Sequence, residues 1–273
     1  MARLSMSDLW DETRAYVRRE ASLLLPVGLA TFGLPSLVMG TLVPRPTGPS
    51  ASPADQLVAQ GPWAYAMIPV ALFILLGSLT VSAMVLRPGI SVGEALRHAL
   101  RRLFPGVLAI LLLSVIGTAI VMLAAAISAA VAAGVGWGTQ QASAFLVLLL
   151  IPMVAWVMIQ TSLMWPILAA GQPSALIAFR QSLRWARRHF MRMLAVTVVF
   201  WLAYVAILGL TQLALGSIVL IGGRLLGVPE EAQTLVIAIT AGIAAIVQTI
   251  WVVFWARLYA RLAADEGSSI SGT

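Results

Sequence analysis

Arginine is the residue type whose chemistry this sequence offers most clearly. All 17 basic residues are arginines, and three pairs stand four residues apart, a spacing that places both guanidinium groups on one side of a helix. The planar fork of arginine can bind phosphate oxygens in pairs. The pattern therefore predicts a site for anionic lipid headgroups, made of Arg14, Arg18, Arg97, Arg101, Arg180 and Arg184.

Neutral polar residues inside long apolar runs form a second candidate site. Such residues either line a path for a polar substrate or hydrogen-bond neighbouring helices, and a contact of the second kind contributes on the order of 0.6 kcal/mol. Both interpretations remain open, and a stripe of hydroxyls (Ser78, Thr80 and Ser82) could belong to either. The predicted intramembrane path consists of Gln160, Thr161, Gln212, Gln248 and Thr249.

Residues for catalysis are not grouped anywhere in the sequence. Cysteine is absent, and the only two histidines, His98 and His189, are far apart. The acidic residues form neither an HExxH motif nor a paired-carboxylate pattern. We therefore expect a protein that is not an enzyme and that holds no metal or cofactor. His98, which lies beside an arginine, is predicted to be a solvated residue at the membrane interface.

The elements that must position these residues are membrane-spanning helices. Apolar residues make up 60% of the 273 residues and charged residues only 10%, against about 25% in soluble domains. The mean hydropathy is +0.97. Because a span needs about 20 apolar residues, we predict an all-α polytopic protein with one membrane domain over residues 1–273. Its six spans are Ser22–Val43, Trp63–Leu86, Leu103–Ala133, Ser143–Ala169, Phe190–Gly222 and Ala232–Tyr259.

The arginines also predict the orientation of these spans. Fifteen lie in the segments that would share one side, and only Arg45 and Arg224 lie on the other. By the positive-inside rule, both termini are predicted to be cytoplasmic. With its net charge of +7, the protein is then expected to interact with the anionic lipids of the inner leaflet rather than with a nucleic acid. The outward segment Pro44–Pro62 is expected to be an extended, mobile connection.

An internal repeat is indicated by residues that recur at an offset of 83. Ser91, Ala95 and Arg97 are repeated as Ser174, Ala178 and Arg180, and the arginines near residues 14–19 fit the same offset. We predict three units, roughly 1–86, 87–170 and 171–259, followed by a tail over 260–273. Each unit begins with a basic amphipathic helix in the membrane interface. The alternative is that these segments are ordinary cytoplasmic loops.

The segment around the third basic helix resembles a bacterial group of six-span membrane proteins. That group includes the YciC-like family and the membrane domain that precedes some glycerophosphodiester phosphodiesterases. The resemblance implies a six-helix membrane domain, and the catalytic barrel of the phosphodiesterases has no counterpart in this sequence. The residues that carry it are Gly171, Ala175, Ala178, Arg180, Ser182, Leu183, Arg184, Arg187, Arg188, Phe190, Arg192 and Leu194, with a weaker copy over Gly89–Arg102.

Two functional hypotheses follow from the sequence. The first is a non-enzymatic envelope protein that acts through anionic-lipid or protein contacts at the cytoplasmic face. The second is a small transporter or lipid-handling channel with a neutral polar path between its helices. No Asp, Glu, Lys, Arg or His falls in the middle of a predicted span, which argues against a proton-driven transporter. A protein partner or a homo-oligomer remains open in both hypotheses.

Overall fold

The computed structural model describes residues 6–42, 67–172 and 174–270, and over these ranges the chain is helical without any strand. The predicted segment Pro44–Pro62 therefore lies outside the described residues. Short π-helical turns connect α2 to α3 and α10 to α11. The helices are α1 (Met6–Arg19), α2 (Ala21–Gly28), α3 (Leu34–Leu42), α4 (Met67–Leu86), α5 (Val92–Arg101), α6 (Leu103–Val135), α7 (Thr139–Thr161), α8 (Met164–Ala170), α9 (Ala175–Arg188), α10 (Phe190–Thr211), α11 (Ser217–Leu225) and α12 (Pro229–Ile270).

The prediction of six spans is confirmed within the described residues. Six helical segments are long and apolar enough to cross a membrane, and their bounds differ from the predicted ones mostly at the ends. The first four residues of the predicted second span lie outside the described residues. The observed segments are Ala21–Thr41, Met67–Leu86, Leu103–Val135, Thr139–Ala170, Phe190–Leu225 and Pro229–Asp265.

Local sequence explains where several helices begin and end. α12 begins at Pro229, and Glu230 and Glu231 lie in its first turn, where proline needs no hydrogen-bond partner and acidic side chains complement the helix dipole. α6 ends at Gly136, whose φ of 71° is left-handed, a conformation that glycine adopts without strain. The long fifth span is interrupted by the π turn Gln212–Gly216, whereas α6 is continuous.

The tightest packing joins the first, second and sixth spans. α12 contacts α2, α3 and α4, and its residues Val253, Phe254 and Ala256 are almost fully buried. Gly77 of α4 lies so close to the first span that an added Cβ atom would overlap with the side chain of Thr31. Such small residues let helices approach closely where lipid supplies no hydrophobic driving force. These three spans form part of the core of the bundle, and Met164, Ile167 and Leu168 of α8 are buried in the same core.

Candidate functional site

Three short helices, α1, α5 and α9, meet at one end of the bundle, which we call the basic end. Here α4 and α8 finish, and α6 and α10 begin. α1 packs on α12, α5 on α4, and α9 on α7 and α8. The three basic segments predicted from the sequence are therefore helices, and they share one end of the bundle. α5 begins at Val92 and α9 at Ala175, the offset of the predicted repeat; the duplication itself stays a prediction.

α1 is docked by a stripe of buried residues, Leu9, Thr13 and Tyr16. The Tyr16 hydroxyl donates a hydrogen bond to the Met84 carbonyl oxygen at 3.0 Å. That carbonyl has no intrahelical partner because position 88, four residues further on, is a proline without an N–H group. Tyr16 therefore satisfies an orphan acceptor at the end of α4 and ties α1 to the second span.

The ring of Tyr16 also contacts two arginines. The guanidinium carbon of Arg257 lies 4.4 Å from the ring centroid, and that of Arg19 lies 5.5 Å away. Cation–π contacts of this kind contribute about 0.5–2 kcal/mol, depending on burial. Burial, followed by the charge of Glu20, raises the pKa of Tyr16 above its ordinary 10.0, and the two arginines partly oppose this shift. The hydroxyl consequently remains a donor at neutral pH.

α5 begins with a complete capping box. The Ser91 hydroxyl accepts a hydrogen bond from the Glu94 backbone N–H at 3.3 Å, and the Glu94 carboxylate accepts one from the Ser91 N–H at 2.9 Å. The Ser91 hydroxyl also lies 2.9 Å from this carboxylate and can donate to it. The backbone bond, followed by the hydroxyl bond, holds the pKa of Glu94 below its ordinary 4.5. The buried face of α5 consists of Ala95 and Ala99. The neighbouring Leu96 and Leu100 are exposed.

His98 ties α5 to the end of α8, a contact that the sequence did not predict. The ring is partly buried, and its Nε2 lies 2.8 Å from the Ala169 carbonyl oxygen, which can only accept. The Nδ1 atom lies 3.3 Å from the Arg87 guanidinium, which can only donate. Nε2 therefore carries the proton. The first bond satisfies a carbonyl in the last turn of α8, and Arg102 donates to the carbonyl of Gln172, just beyond that helix, at 3.3 Å.

α9 is docked through small and aromatic side chains. Ala178, Ser182 and Trp185 are buried, and the Ser182 hydroxyl donates to the Gln160 carbonyl at 2.6 Å. The Trp185 ring lies 5.5 Å from the Tyr259 ring. Beyond the end of α9, burial and the neighbouring arginines lower the pKa of His189 below its ordinary 6.5.

The six predicted headgroup arginines are all exposed at the basic end. No hydrogen bond or ion pair joins any of them to another of the residues that the structure describes, whereas Arg19 pairs with Glu20 and Arg261 with Glu12. Large apolar side chains next to them are exposed as well. These are Leu96 and Leu100 on α5, at 37% and 52%, and Leu176 and Ile177 on α9, at 47% and 51%.

The five residues of the predicted polar path occupy four separate places. Gln160 is 3% exposed and lies beneath α9, and its side-chain oxygen has no partner among the described residues. Gln212 lies in the π turn of the fifth span and donates to the Thr240 hydroxyl at 2.9 Å. Thr249 is buried and donates to the Ala245 carbonyl. Only Thr161 and Gln248 share a cavity.

That cavity has a volume of about 410 Å³ and lies between α4, α6, α7, α8 and α12. Two of its lining residues have buried polar atoms without a partner in the described chain: the Ser82 hydroxyl and the Trp255 indole N–H. Each such group costs roughly 1–3 kcal/mol. The wall of the cavity combines polar and aromatic side chains, among them Ser78, Ser82, Thr161, Gln248, Trp251 and Trp255.

Sequence reasoning found the arginines but missed Tyr16, His98 and the cavity. For Tyr16 a signal was present, since a proline four residues after Met84 leaves that carbonyl without a donor; nothing in the sequence pointed to tyrosine as the donor. Within the described ranges, no three histidine, aspartate or glutamate residues are close enough to hold a metal ion.

Together, the fold and this end of the bundle define a multi-pass helical membrane protein that carries three docked basic helices. The chain belongs to the family described as a domain of unknown function (DUF7847), whose model matches residues 11–262. No curated protein and no solved structure matches the chain.

Proposed function

We propose that this protein is a non-enzymatic protein of the bacterial cytoplasmic membrane whose basic end binds anionic lipid headgroups of the inner leaflet. In this proposal both termini are cytoplasmic. The excess of arginine at the basic end supports that orientation through the positive-inside rule. Arg224, near the end of α11, lies on the opposite side of the bundle.

The observation that carries the proposal is the exposure of the six headgroup arginines, together with their lack of hydrogen bonds or ion pairs to described residues. They are exposed, and the docking of their helices uses alanine, serine, leucine and aromatic side chains instead. Their guanidinium groups are thus available to phosphate oxygens. Exposed leucine and isoleucine side chains beside them fit a helix whose apolar side enters the acyl boundary while its arginines contact headgroups.

The strength of such binding follows from the charge. An arginine near an anionic membrane surface contributes about 1 kcal/mol. A pair on one helix therefore contributes about 2 kcal/mol, or roughly a 30-fold preference for an anionic over a neutral lipid. Because exposed charges are screened over about 10 Å at 0.1 M salt, the preference must weaken as the salt concentration rises.

Native mass spectrometry of the purified full chain tests the proposal, with phosphatidylglycerol as the anionic probe and phosphatidylcholine as the neutral probe. We expect the wild type to retain phosphatidylglycerol preferentially. Replacing one pair, such as Arg97→Gln with Arg101→Gln, should lower this preference, and replacing all six should abolish it. An unchanged preference in the six-residue variant would contradict the proposal.

A matched control removes charge from arginines that already have partners. Arg19 pairs with Glu20 at 3.0 Å, and Arg261 pairs with Glu12 at 3.2 Å. The double variant Arg19→Gln with Arg261→Gln loses the same charge as one headgroup pair. Exposed ion pairs contribute little to stability, so this variant should fold and should keep most of the lipid preference.

The cavity favours a second candidate, a lipid-handling or transport role. It lies between spans and contains Gln248 and Thr161, two residues of the predicted path. The other two amides of that path lie elsewhere, so a path along all three is not the basis for this candidate. Substitution Gln248→Leu keeps the side-chain volume similar. If transport or lipid transfer in proteoliposomes is unchanged in this variant, the amide has no part in such a role.

A further inference from the structure

The cavity lies beside the middle of α4, and on α7, α8 and α12 it lies in the half of the span nearer the basic end. Along α4 its lining extends from Ala71 to Ser82, a rise of about 16 Å at 1.5 Å per residue. This length is roughly half of the ~30 Å hydrocarbon thickness. Both ends of the lining lie four residues inside the ends of α4, and Ser82 lies two residues before Met84, whose carbonyl binds Tyr16. The cavity therefore begins close to the docked helix α1 and extends past the middle of α4.

The cavity opens sideways between spans. Met158, which lines it, is 38% exposed, and the lining residues Ala71 and Ile110 are partly exposed. These three residues belong to apolar segments that cross the membrane, so their exposed surfaces face hydrocarbon. The opening is thus accessible to lipid chains.

Two hydrogen-bond donors lie in the wall near the shallow end. Hydroxyls elsewhere in α4 are satisfied by the carbonyl four residues earlier: Ser78 donates to Ile74 at 2.9 Å and Thr80 to Leu76 at 2.7 Å. The Ser82 hydroxyl and the Trp255 indole N–H have no such partner in the described chain, although both residues are at most 3% exposed. An indole N–H can only donate. The wall therefore lacks an acceptor at this depth.

No described residue that lines the cavity is charged. The deep end is formed mainly by aliphatic side chains, with Gln248 as the exception. A ligand must therefore be neutral where it enters, apolar along most of its length, and equipped with an acceptor oxygen near the shallow end. A volume of about 410 Å³ is within the ~300–1,000 Å³ of ordinary ligand sites.

We propose that this cavity binds one acyl chain of a membrane glycerolipid from the leaflet at the basic end, with the ester carbonyl oxygen accepting from Ser82 and Trp255. The cavity is about as long as one leaflet is deep, its mouth faces the lipid, and its two unpartnered donors lie at the end nearer the basic end, from which a lipid of that leaflet would enter. The cavity binds the acyl chain and its ester carbonyl, whereas the exposed arginines bind the charged headgroup. The two binding sites are separate.

The test compares ester-linked with ether-linked lipid, because the ether lacks the carbonyl acceptor. The purified full chain is mixed with equal amounts of diester and diether phosphatidylcholine, and retained lipid is counted by native mass spectrometry. One hydrogen bond corresponds to about a 2- to 12-fold change in affinity. The wild type should therefore retain more diester than diether lipid, by a factor within this range. Equal retention of the two lipids would overturn the assignment of the carbonyl.

Variants then place the lipid in the cavity. Trp255→Phe keeps the aromatic ring but removes the N–H group, and it should reduce the preference for the ester without changing the retention of the ether. Ala71→Phe fills the deep end and should reduce photolabelling of α4 and α12 by a phosphatidylcholine that carries a diazirine on its acyl chain. Ala119→Phe is the matched control, since Ala119 is exposed on α6 away from the cavity.

The possible results separate this proposal from the arginine proposal. Loss of labelling in Ala71→Phe, with Ala119→Phe unchanged, supports the cavity site even if all six arginines have been replaced. Equal labelling in the two variants overturns it, whatever the preference for anionic headgroups. Because the ester and ether comparison uses the wild type, a variant that fails to fold does not prevent a decision.

Discussion

The hydrogen bond from Tyr16 to Met84 predicts how firmly α1 is held on the spans. Substitution Tyr16→Phe removes the hydroxyl but keeps the ring and its contact with Arg257. The Met84 carbonyl then loses its donor, and Pro88 cannot replace it. Leaving a buried acceptor unpaired costs about 1–3 kcal/mol. The loss should appear as weaker docking of α1, since Tyr16 is 6% exposed at the contact.

Hydrogen exchange of the α1 amides in the detergent-solubilised protein measures this loss. A cost of 1–3 kcal/mol increases the equilibrium constant for opening by roughly 5- to 160-fold, and protection should fall by that factor in α1 before it falls in the spans. Tyr259→Phe is the matched control, because the Tyr259 hydroxyl has no hydrogen bond with the described residues while its ring packs on Trp185.

The raised pKa of Tyr16 adds a dependence on pH. A folded-state pKa above the unfolded value of 10.0 means that the stabilisation is fully present below pH 10 and is lost as the pH rises through the folded-state pKa. The wild type should therefore lose α1 protection above about pH 10, and Tyr16→Phe should lack this step. If Tyr16→Phe exchanges at the same rate as Tyr259→Phe at neutral pH, the hydroxyl does not hold α1 and the reasoning is refuted.

Further predictions concern packing and capping. Gly77→Ala places a methyl group 2.5 Å from the Cβ atom of a first-span threonine and should destabilise the bundle by about 1–3 kcal/mol. Gly117→Ala, in open space, should instead be neutral or stabilise by up to ~1 kcal/mol; thermal unfolding in detergent compares the two. Ser91→Ala should raise hydrogen exchange in α5 by removing about 1 kcal/mol of capping, whereas Ser174→Ala, at an N-cap without a side-chain bond, should not change α9. Because the pKa of Glu94 is lowered from 4.5, the stabilisation of α5 by this carboxylate is fully present above pH 4.5 and is lost as the pH falls. Glu94→Gln should remove this loss of α5 protection at acid pH.

The spans and the basic helices could be predicted because their signals are local. Hydropathy over about 20 residues identifies a span, and arginines between spans mark the segments that became α1, α5 and α9. Helix ends were less exact. The fourth span begins at Thr139 rather than Ser143, because hydropathy does not register the polar first turn of a helix.

The contacts within the candidate site could not be predicted, because they join residues far apart in the chain. Tyr16 and Met84 are separated by 68 residues, and His98 and Ala169 by 71. Each bond depends on the packing of helices that the sequence describes only one at a time. For the same reason, Gln160, Gln212 and Gln248 looked equivalent as intramembrane amides, although only Gln248 lines the cavity.

The way in which the basic helices dock separates two roles that arginine can have in this protein. Orientation during insertion depends on how many arginines a side carries, and it is insensitive to their position within a helix. Headgroup binding depends on which face of the helix they occupy. Moving the α5 pair onto its buried alanine face, for example, would disrupt docking, whereas moving it along the exposed face keeps both charge and fold. Since the six arginines form no hydrogen bond or ion pair with other described residues, their replacement changes lipid contacts while the docking faces remain intact. A loss of lipid preference in a correctly oriented, folded variant would therefore report binding and not topology.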